Sequence, residues 1–554
     1  MESINADPTK LRKHKQLLAA MDTERATWFP HWREISDYYL PRRYPWLRTA
    51  KENKTASRRN RKLLTSASTM AIRTLASGMM NGITSPARNW FSLRIPGFDQ
   101  ETLTHESKVY LEEVERRMML VLAESNFYNS IAMLYLEWCT FGTASMSIEE
   151  DFYDVVRCYN YPLGEFYLST DSTGRVSRHG RRFVRTVEQA VEQFGEDKVS
   201  DSVLADYKKG GAALFNTLEI AHLIEEVPAD ETSEFPSRWR NVYWEVAKSS
   251  NKYLQMTPLY EWPTVSPRWE LLGDDSYGTS PAMDALADTI ELQVLLEERA
   301  KGLAKQISPP LIVDQQLRNR PKALGANGIT YAATFNSNFG AKEAYKVKVP
   351  LQDIAIDIAE LKRAIQSTCH NELFNMISQL DTVRSATEID ARREEKLVHL
   401  ASVLERFYNE GLDPALKRVF GIMQRADLLP EAPQELDEAS IEVNYISVLT
   451  DAQRASGTIT IERFLQFIGG IAPVYPEATR IPDVEELIRS YADGIGIKPK
   501  GIKSREDVQA AAEAENAQAE LAQSAQVGND MAQGAKVLSE TEVGGGMNAL
   551  QAMM

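Results

Sequence analysis

The chain has 554 residues, 43% apolar and 25% charged, proportions of a folded globular protein with several domains of roughly 100–200 residues each. A formal net charge of −15 excludes a uniformly basic nucleic-acid binder, and the lack of any run of about 18 apolar residues excludes an ordinary membrane-spanning helix. The polar start, Met1-Glu2-Ser3-Ile4-Asn5-Ala6-Asp7, does not read as a secretory signal. The three cysteines, Cys139, Cys158 and Cys369, lack metal or redox spacing and are expected as buried thiols in a reducing compartment.

In chain order, the first third reads as mostly helical. Residues 11–35 carry helical spacing and end in the aromatic cluster Trp28, Phe29, Trp32, Tyr38 and Tyr39 before Pro41. Between 42 and 62 the cations Arg42, Arg43, Arg48, Lys51, Lys54, Arg58, Arg59, Arg61 and Lys62 face only Glu52. Such a cluster suits contact with phosphate or an acidic partner, and equally a solvated loop. Residues 63–80 and 108–124 are two further amphipathic stretches. From 145 to 269 the pattern becomes β-rich, with a helix expected near 187–194 and turns at Tyr161-Pro162-Leu163-Gly164 and Asp171-Ser172-Thr173-Gly174.

The centre is the most informative region. Ser280-Pro281 predicts a helix start, because Ser can cap free N–H groups and Pro suits the first turn. Leu292, Leu296, Ala300, Leu303 and Ile307 then recur every three or four residues until Ser308-Pro309-Pro310 stops the helix. A Gly- and Asn-rich excursion follows, with β-like runs at 311–313, 329–331 and 345–349. After Pro350, Leu351, Ile354, Ile358, Leu361, Ile365, Cys369, Leu373 and Met376 form one helical stripe, so each long helix spans roughly 35–40 Å. A polar break at 378–384 precedes Ser385 and Glu388, a capping box that opens a helix to about Tyr408. On pattern alone, two long helices around a small excursion read first as an ordinary helical hairpin inside a globular core. Residues 411–491 look helical with Pro-marked breaks, and beyond 504 an Ala/Gln-rich tail is expected to be partly disordered.

Catalytic chemistry is not evident. Residues 273–280 have the glycine spacing of a phosphate loop but lack its Lys, and Pro281 removes an N–H. No nucleophile elbow or zinc motif is present. Carboxylate runs such as Glu149-Glu150-Asp151 and Asp274-Asp275 leave open a metal-dependent nucleic-acid-processing enzyme, if several converge.

Several blocks, in order, carry a resemblance. They are Trp28-Phe29-Pro30-His31-Trp32-Arg33-Glu34-Ile35 with Tyr39-Leu40-Pro41-Arg42, and Ser77-Gly78-Met79 with Ser85-Pro86-Ala87-Arg88-Asn89-Trp90-Phe91-Ser92-Leu93. Phe141-Gly142-Thr143-Ala144, Tyr161-Pro162-Leu163-Gly164-Glu165-Phe166-Tyr167 and Tyr277-Gly278-Thr279-Ser280-Pro281-Ala282-Met283-Asp284-Ala285-Leu286 follow. Together they resemble the head-to-tail connector, or portal, proteins of short-tailed bacteriophages, over about residues 10–450.

That resemblance implies an α+β, mainly helical, multi-domain subunit without enzymatic activity or cofactor. It assembles into a dodecameric ring at one capsid vertex of the virion, put together in the host cytoplasm. By position it implies a wing at 1–279, stem helices at 280–307 and 351–377, a small α/β clip at 308–350 and a channel loop at 378–384. A wing or tunnel helix at 385–426, a helical crown at 427–504 and the tail at 505–554 complete the expectation. Implied partners are further copies of the chain, double-stranded DNA read without sequence preference, the major capsid protein, scaffold, terminase and a tail adaptor, with no membrane. A tail or scaffold ring adaptor is the alternative within the same class. Candidate channel-facing cations are Arg299, Lys301, Lys305, Lys362, Arg363 and Arg384; candidate stem-packing residues are Leu292, Leu296, Leu303, Ile354, Ile358, Leu361 and Ile365. Arg42, Arg43, Arg48, Arg58, Arg59 and Arg61 form the candidate basic contact patch. A mostly acidic channel wall with sparse cations would guide a duplex without gripping it.

Overall fold

The computed structural model describes residues 8–41, 63–94, 104–228, 237–247, 252–309, 311–314, 329–332, 341–343, 349–372, 374, 400–433, 442–445, 461–471, 475 and 482–494, with single turns between 508 and 537. The chain divides into two units: residues 1–93, 114–430 and 442–449 form the first, and 94–113, 431–441 and 450–554 the second.

The first unit opens with helices α1 (Pro8–Ala26) and α2 (Phe29–Tyr38). The single helix expected over 11–35 is therefore two: the chain turns at Thr27-Trp28, and Pro30 then starts the second helix. Helix α3 is Ala67–Ile83, strand β1 is Phe91–Arg94, and α4 is His105–Glu124, whose Val114–Glu124 part belongs to this unit. Helix α5, Phe127–Phe141, is buried nearly all round and ends on Gly142, whose φ of +73° places it in the left-handed region that glycine favours.

The β-rich region is as expected in kind. Strands β2 (Ser145–Asp151) and β3 (Val155–Tyr161) form a hairpin, and β4 (Phe166–Thr170) and β5 (Val176–Thr186) follow. Helix α6, Val187–Phe194, occupies the expected position and starts on a capping box in which Thr186 and Gln189 satisfy one another's backbone N–H. Helix α7 (Asp201–Lys209) follows, then strands β6 (Thr217–Glu226), β7 (Trp239–Glu245), β8 (Tyr253–Leu259) and β9 (Thr264–Val265).

Strands β4 to β8 make one antiparallel sheet in sequence order, and β3-β2-β9 a second, smaller one. The five-stranded sheet is covered on both faces. On β6 and β7 the side chains alternate: Ile220 and Tyr243 pack with Val187, Val191 and Phe194 of α6, while Ala221, Leu223, Val242 and Trp244 pack with Leu11, Leu18 and Met21 of α1. Fully burying each large apolar side chain contributes about 1.5–3 kcal/mol. A buried polar set fastens α1 to this sheet: His14 Nε2 donates to Glu225 Oε1 at 2.8 Å, Tyr253 OH and His14 Nδ1 share a hydrogen bond at 2.7 Å, and Arg240 Nε donates to Glu225 Oε1 at 2.8 Å.

Then come α8 (Pro281–Asp284) and the long α9 (Leu286–Ile307). Ser280 caps α8 as expected, its Oγ accepting from Met283 N at 3.3 Å. Strands β10 (Leu311–Asp314), β11 (Ile329–Ala332) and β12 (Ala341–Glu343) form a small mixed sheet, β10 pairing parallel with β11 and antiparallel with β12. The third strand lies earlier than the expected 345–349, of which residues 345–348 are outside the described residues.

Helix α10, Leu351–Thr368, is shorter than the expected 351–377. The helix is interrupted at Cys369-His370, where His370 adopts a left-handed φ of +52°, before helical geometry resumes at Asn371 and Glu372. The expected loop at 378–384 and capping box at 385–388 lie outside the described residues. Residues 400–407 are helical, run into a π-helical turn, Tyr408–Leu412, and continue as the helix Asp413–Arg425. In the second unit, 461–471 is helical, as is Val484–Gly494.

Candidate functional site

The helical hairpin α9–α10 and the seat that holds it form the candidate site. The seat is built where distant blocks of sequence meet. Tyr277, fully buried, lies edge-on to Trp32 at 5.2 Å between ring centroids, and Trp32 stacks on Trp28 at 5.9 Å. The Tyr277 hydroxyl accepts from Leu168 N at 3.1 Å, one residue beyond the Tyr161–Tyr167 block. Gly278 N donates to Thr143 Oγ1 at 2.8 Å, and Trp269 N donates to Gly142 O at 2.7 Å. A Cβ at Gly142 would collide with the carbonyls of Gly278 and Thr279, so close backbone approach requires glycine there. Ser280 Oγ donates to Thr140 O at 2.7 Å, which ties the start of α8 to α5.

These contacts also dispose of the phosphate-loop reading. The Gly278 amide is taken by Thr143, and Thr279 N donates to Glu270 O at 2.8 Å. The run Glu149-Glu150-Asp151 does not converge. Glu150 pairs with Arg425 at 2.6 Å and Asp151 with Arg157 at 3.4 Å, while Glu149, on the opposite strand face from Glu150, is raised above the usual carboxylate range by burial. Among the described residues no group of three or more His, Cys, Asp or Glu is placed to hold a metal ion, and no helix is long and apolar enough to cross a membrane.

A second polar anchor lies behind the seat. Arg268, 1% exposed, forms an ion pair with Glu410 of the π-helical turn at 2.5 Å and donates from NH2 to Gly174 O at 2.6 Å. Phe407, at the end of the preceding helix, packs on Trp138 at 4.5 Å and Tyr135 at 4.9 Å. Sequence reasoning missed this clamp, since its two charges are 142 residues apart and neither carries a local motif.

The two long helices run antiparallel. The end of α9 lies beside the start of α10, with Gly302 close against Val349. At the other end Cys369, whose thiol is pushed up to about 12 by burial and by the nearby Asp284 carboxylate, returns to the start of α8–α9. The base is well buried. Tyr39 OH and Thr289 Oγ1 share a hydrogen bond at 2.8 Å, Leu64 N donates to Gln293 Oε1 at 2.8 Å, and α10 packs on α3, where Gly78 leaves room for Phe374.

Burial falls steeply along the hairpin. Of the candidate packing residues, Leu292, Ile358 and Ile365 are buried; Leu296, Ile354 and Leu361 are half-buried; Leu303 is exposed. Ile307 and Ile356 are 73% and 56% exposed. Of the candidate cations, Lys362 and Arg363 are exposed and Arg299 and Lys305 half-buried, none in an ion pair among the described residues, whereas Lys301 is held by Glu297 at 2.9 Å and Glu298 at 3.0 Å. Arg384 and the patch Arg42, Arg43, Arg48, Arg58, Arg59 and Arg61 lie outside the described residues. All three cysteines are free and buried.

A sequence family described as "Bacteriophage head to tail connecting protein" matches residues 11–502. The chain belongs to this family. It is similar to the "Portal protein" of Salmonella phage epsilon15, at 36% identity over 543 residues, 97% of this chain and 96% of that relative. It is also similar to the "Probable portal protein" of Bordetella phage BPP-1, at 35% identity over 484 residues, 86% of each chain. In this connector chain four of the five sequence blocks that carried the resemblance have a common structural reason: Trp28–Trp32, Gly142–Thr143, the strand entered through Tyr161–Tyr167, and Tyr277–Ser280 all build the seat of the hairpin.

Proposed function

We propose that the chain is a portal subunit that assembles into a ring, dodecameric as in its family, at one capsid vertex, where it forms the channel for genome packaging and ejection. The observation that carries this reading is a hairpin anchored firmly at its base and left with exposed apolar side chains along its far half, in a chain whose relatives are portal proteins. Two helices alone cannot cover those side chains; copies packed side by side can.

In this reading α9 and α10 are the stem, the small β10–β12 sheet belongs to the clip, and residues 1–279 are the wing. Residues 378–384 are the channel loop, 385–426 the wing or tunnel helix and 427–504 the crown. The subunit is structural and needs no cofactor. Its partners are its own copies, duplex DNA of any sequence, the capsid and scaffold proteins, terminase and a tail adaptor. Channel contacts to phosphate come from among Arg299, Lys305, Lys362, Arg363 and Arg384, with Lys301 already neutralised by two glutamates.

Negative-stain electron microscopy of the purified chain tests the reading. Rings with a central hole are expected; a persistent monomer under all assembly conditions would overturn it.

A further inference from the structure

On α10, Asp353, Asp357 and Glu360 are spaced by four and three residues, so they form one row along one flank of the apolar stripe Ile354, Ile358, Leu361 and Ile365. All three are exposed, and among the described residues none forms an ion pair. Like charges at this spacing repel, so the row disfavours an isolated helix. Lys362, two positions past Glu360, lies about 200° round the helix from it, on the other flank of the stripe, whereas Arg363, three positions past Glu360, lies on the outer surface only about 60° from it. Both cations are likewise exposed and without an ion pair. Thus one helix carries an acidic row on one flank and an uncompensated cation, Lys362, on the other. The exposed Leu303, Ile307, Leu351 and Ile356 lie along the same hairpin.

We infer that the occupant of this surface is a second copy of the chain, with the Asp353–Asp357–Glu360 row of one hairpin set against Lys362 of its neighbour. This rests on the ring reading above and names the contact that registers one copy on the next. Charge complementarity decides the type of contact. A two-fold contact would oppose the same flank of both copies, acid to acid, whereas a head-to-tail contact opposes acid to base and repeats around a closed ring. The centre of the acidic row and Lys362 are about 8 Å apart along the axis, which a long Lys side chain and a modest tilt of neighbouring helices can span. The assignment takes Lys362 away from the duplex and gives it to the subunit interface.

The experiment uses three full-length chains: wild type; an all-basic variant, Asp353→Lys/Asp357→Lys/Glu360→Lys; and an all-acidic variant, Lys362→Glu. Each is checked for a native circular dichroism spectrum and melting profile, then scored for rings by negative-stain microscopy at low salt. Either variant alone should give at least a tenfold loss of rings. An equimolar mixture of the two should restore them, because alternating copies oppose acid to base at every contact. Wild-type ring yield from either folded variant alone, or no gain on mixing, overturns the inference while leaving the ring reading intact if wild type forms rings. Absence of rings from wild type overturns both.

Discussion

The five-stranded sheet and the α9–α10 hairpin solve the same problem in different ways. The sheet is closed within one chain: α1 covers one face, α6 the other, and its internal charges find partners, as His14, Glu225 and Arg240 do. The hairpin is closed only at its base. Near Thr289 and Ile365 it is as buried as the sheet, but toward Ile307 and Leu351 apolar and charged side chains alike are left uncovered. The difference separates a part that folds by itself from a part that other copies complete, and it can be broken or sharpened by substitution.

Among alanine substitutions the largest effect is expected at the clamp of the self-contained part. Arg268→Ala leaves the Glu410 carboxylate without its buried partner and should cost about 3–5 kcal/mol, read by urea denaturation; a loss below 1 kcal/mol would mean that the π-helical turn does not depend on it. Next, a matched pair on one helix contrasts buried with exposed. Ile358→Ala should cost about 2–5 kcal/mol, whereas Ile356→Ala should leave the unassembled chain within about 0.5 kcal/mol and lower ring yield instead. Equal effects on monomer stability would erase the contrast. Replacing Ile358 by Asp buries a charge and should block folding or assembly altogether.

Acid should act on the sheet before the hairpin. His179 is held neutral by burial and by Arg181, which lowers it to about 3, and His222 is lowered in the same way, its Nδ1 accepting from Arg181 Nε at 3.0 Å. The unfolded chain takes up these protons near pH 6.5 and the folded chain does not. The stabilisation is therefore complete above pH 6.5 and is lost as pH falls from there toward 3, by up to about 1.4 kcal/mol per pH unit per histidine. Denaturation midpoints at pH 7.5 and 5.0 measure this, and His179→Gln should flatten the slope. Glu225, lowered by His14 and Arg240 against the opposing effect of burial, adds a loss below the ordinary glutamate range. The smallest effect is expected from Lys301→Ala, which removes only exposed pairs and should leave the urea midpoint where it is in the unsubstituted chain.

What was legible in the sequence follows the same division. The stripe from Leu351 to Ile365 and the Ser280 cap are local patterns, and both are in place. The interruption at Cys369-His370 has no Gly or Pro to announce it, and the stripe continues through it in sequence. Helix α5 escaped notice because it is buried on nearly all sides, which removes the polar face that marks a helical period. The seat around Tyr277 was recognisable as a set of blocks but not as a place, because its partners lie 109 and 135 residues away. The acidic row on α10 was readable from its spacing and was passed over in favour of the cations.

The central claim is that the far half of the hairpin is completed by other copies. Amide hydrogen exchange on assembled and unassembled chain tests it most directly. The account predicts slow exchange in β5–β7 in both states, with residues 294–307 and 351–361 exchanging fast in the free chain and becoming protected on assembly. Equal protection of those two segments in both states would contradict it.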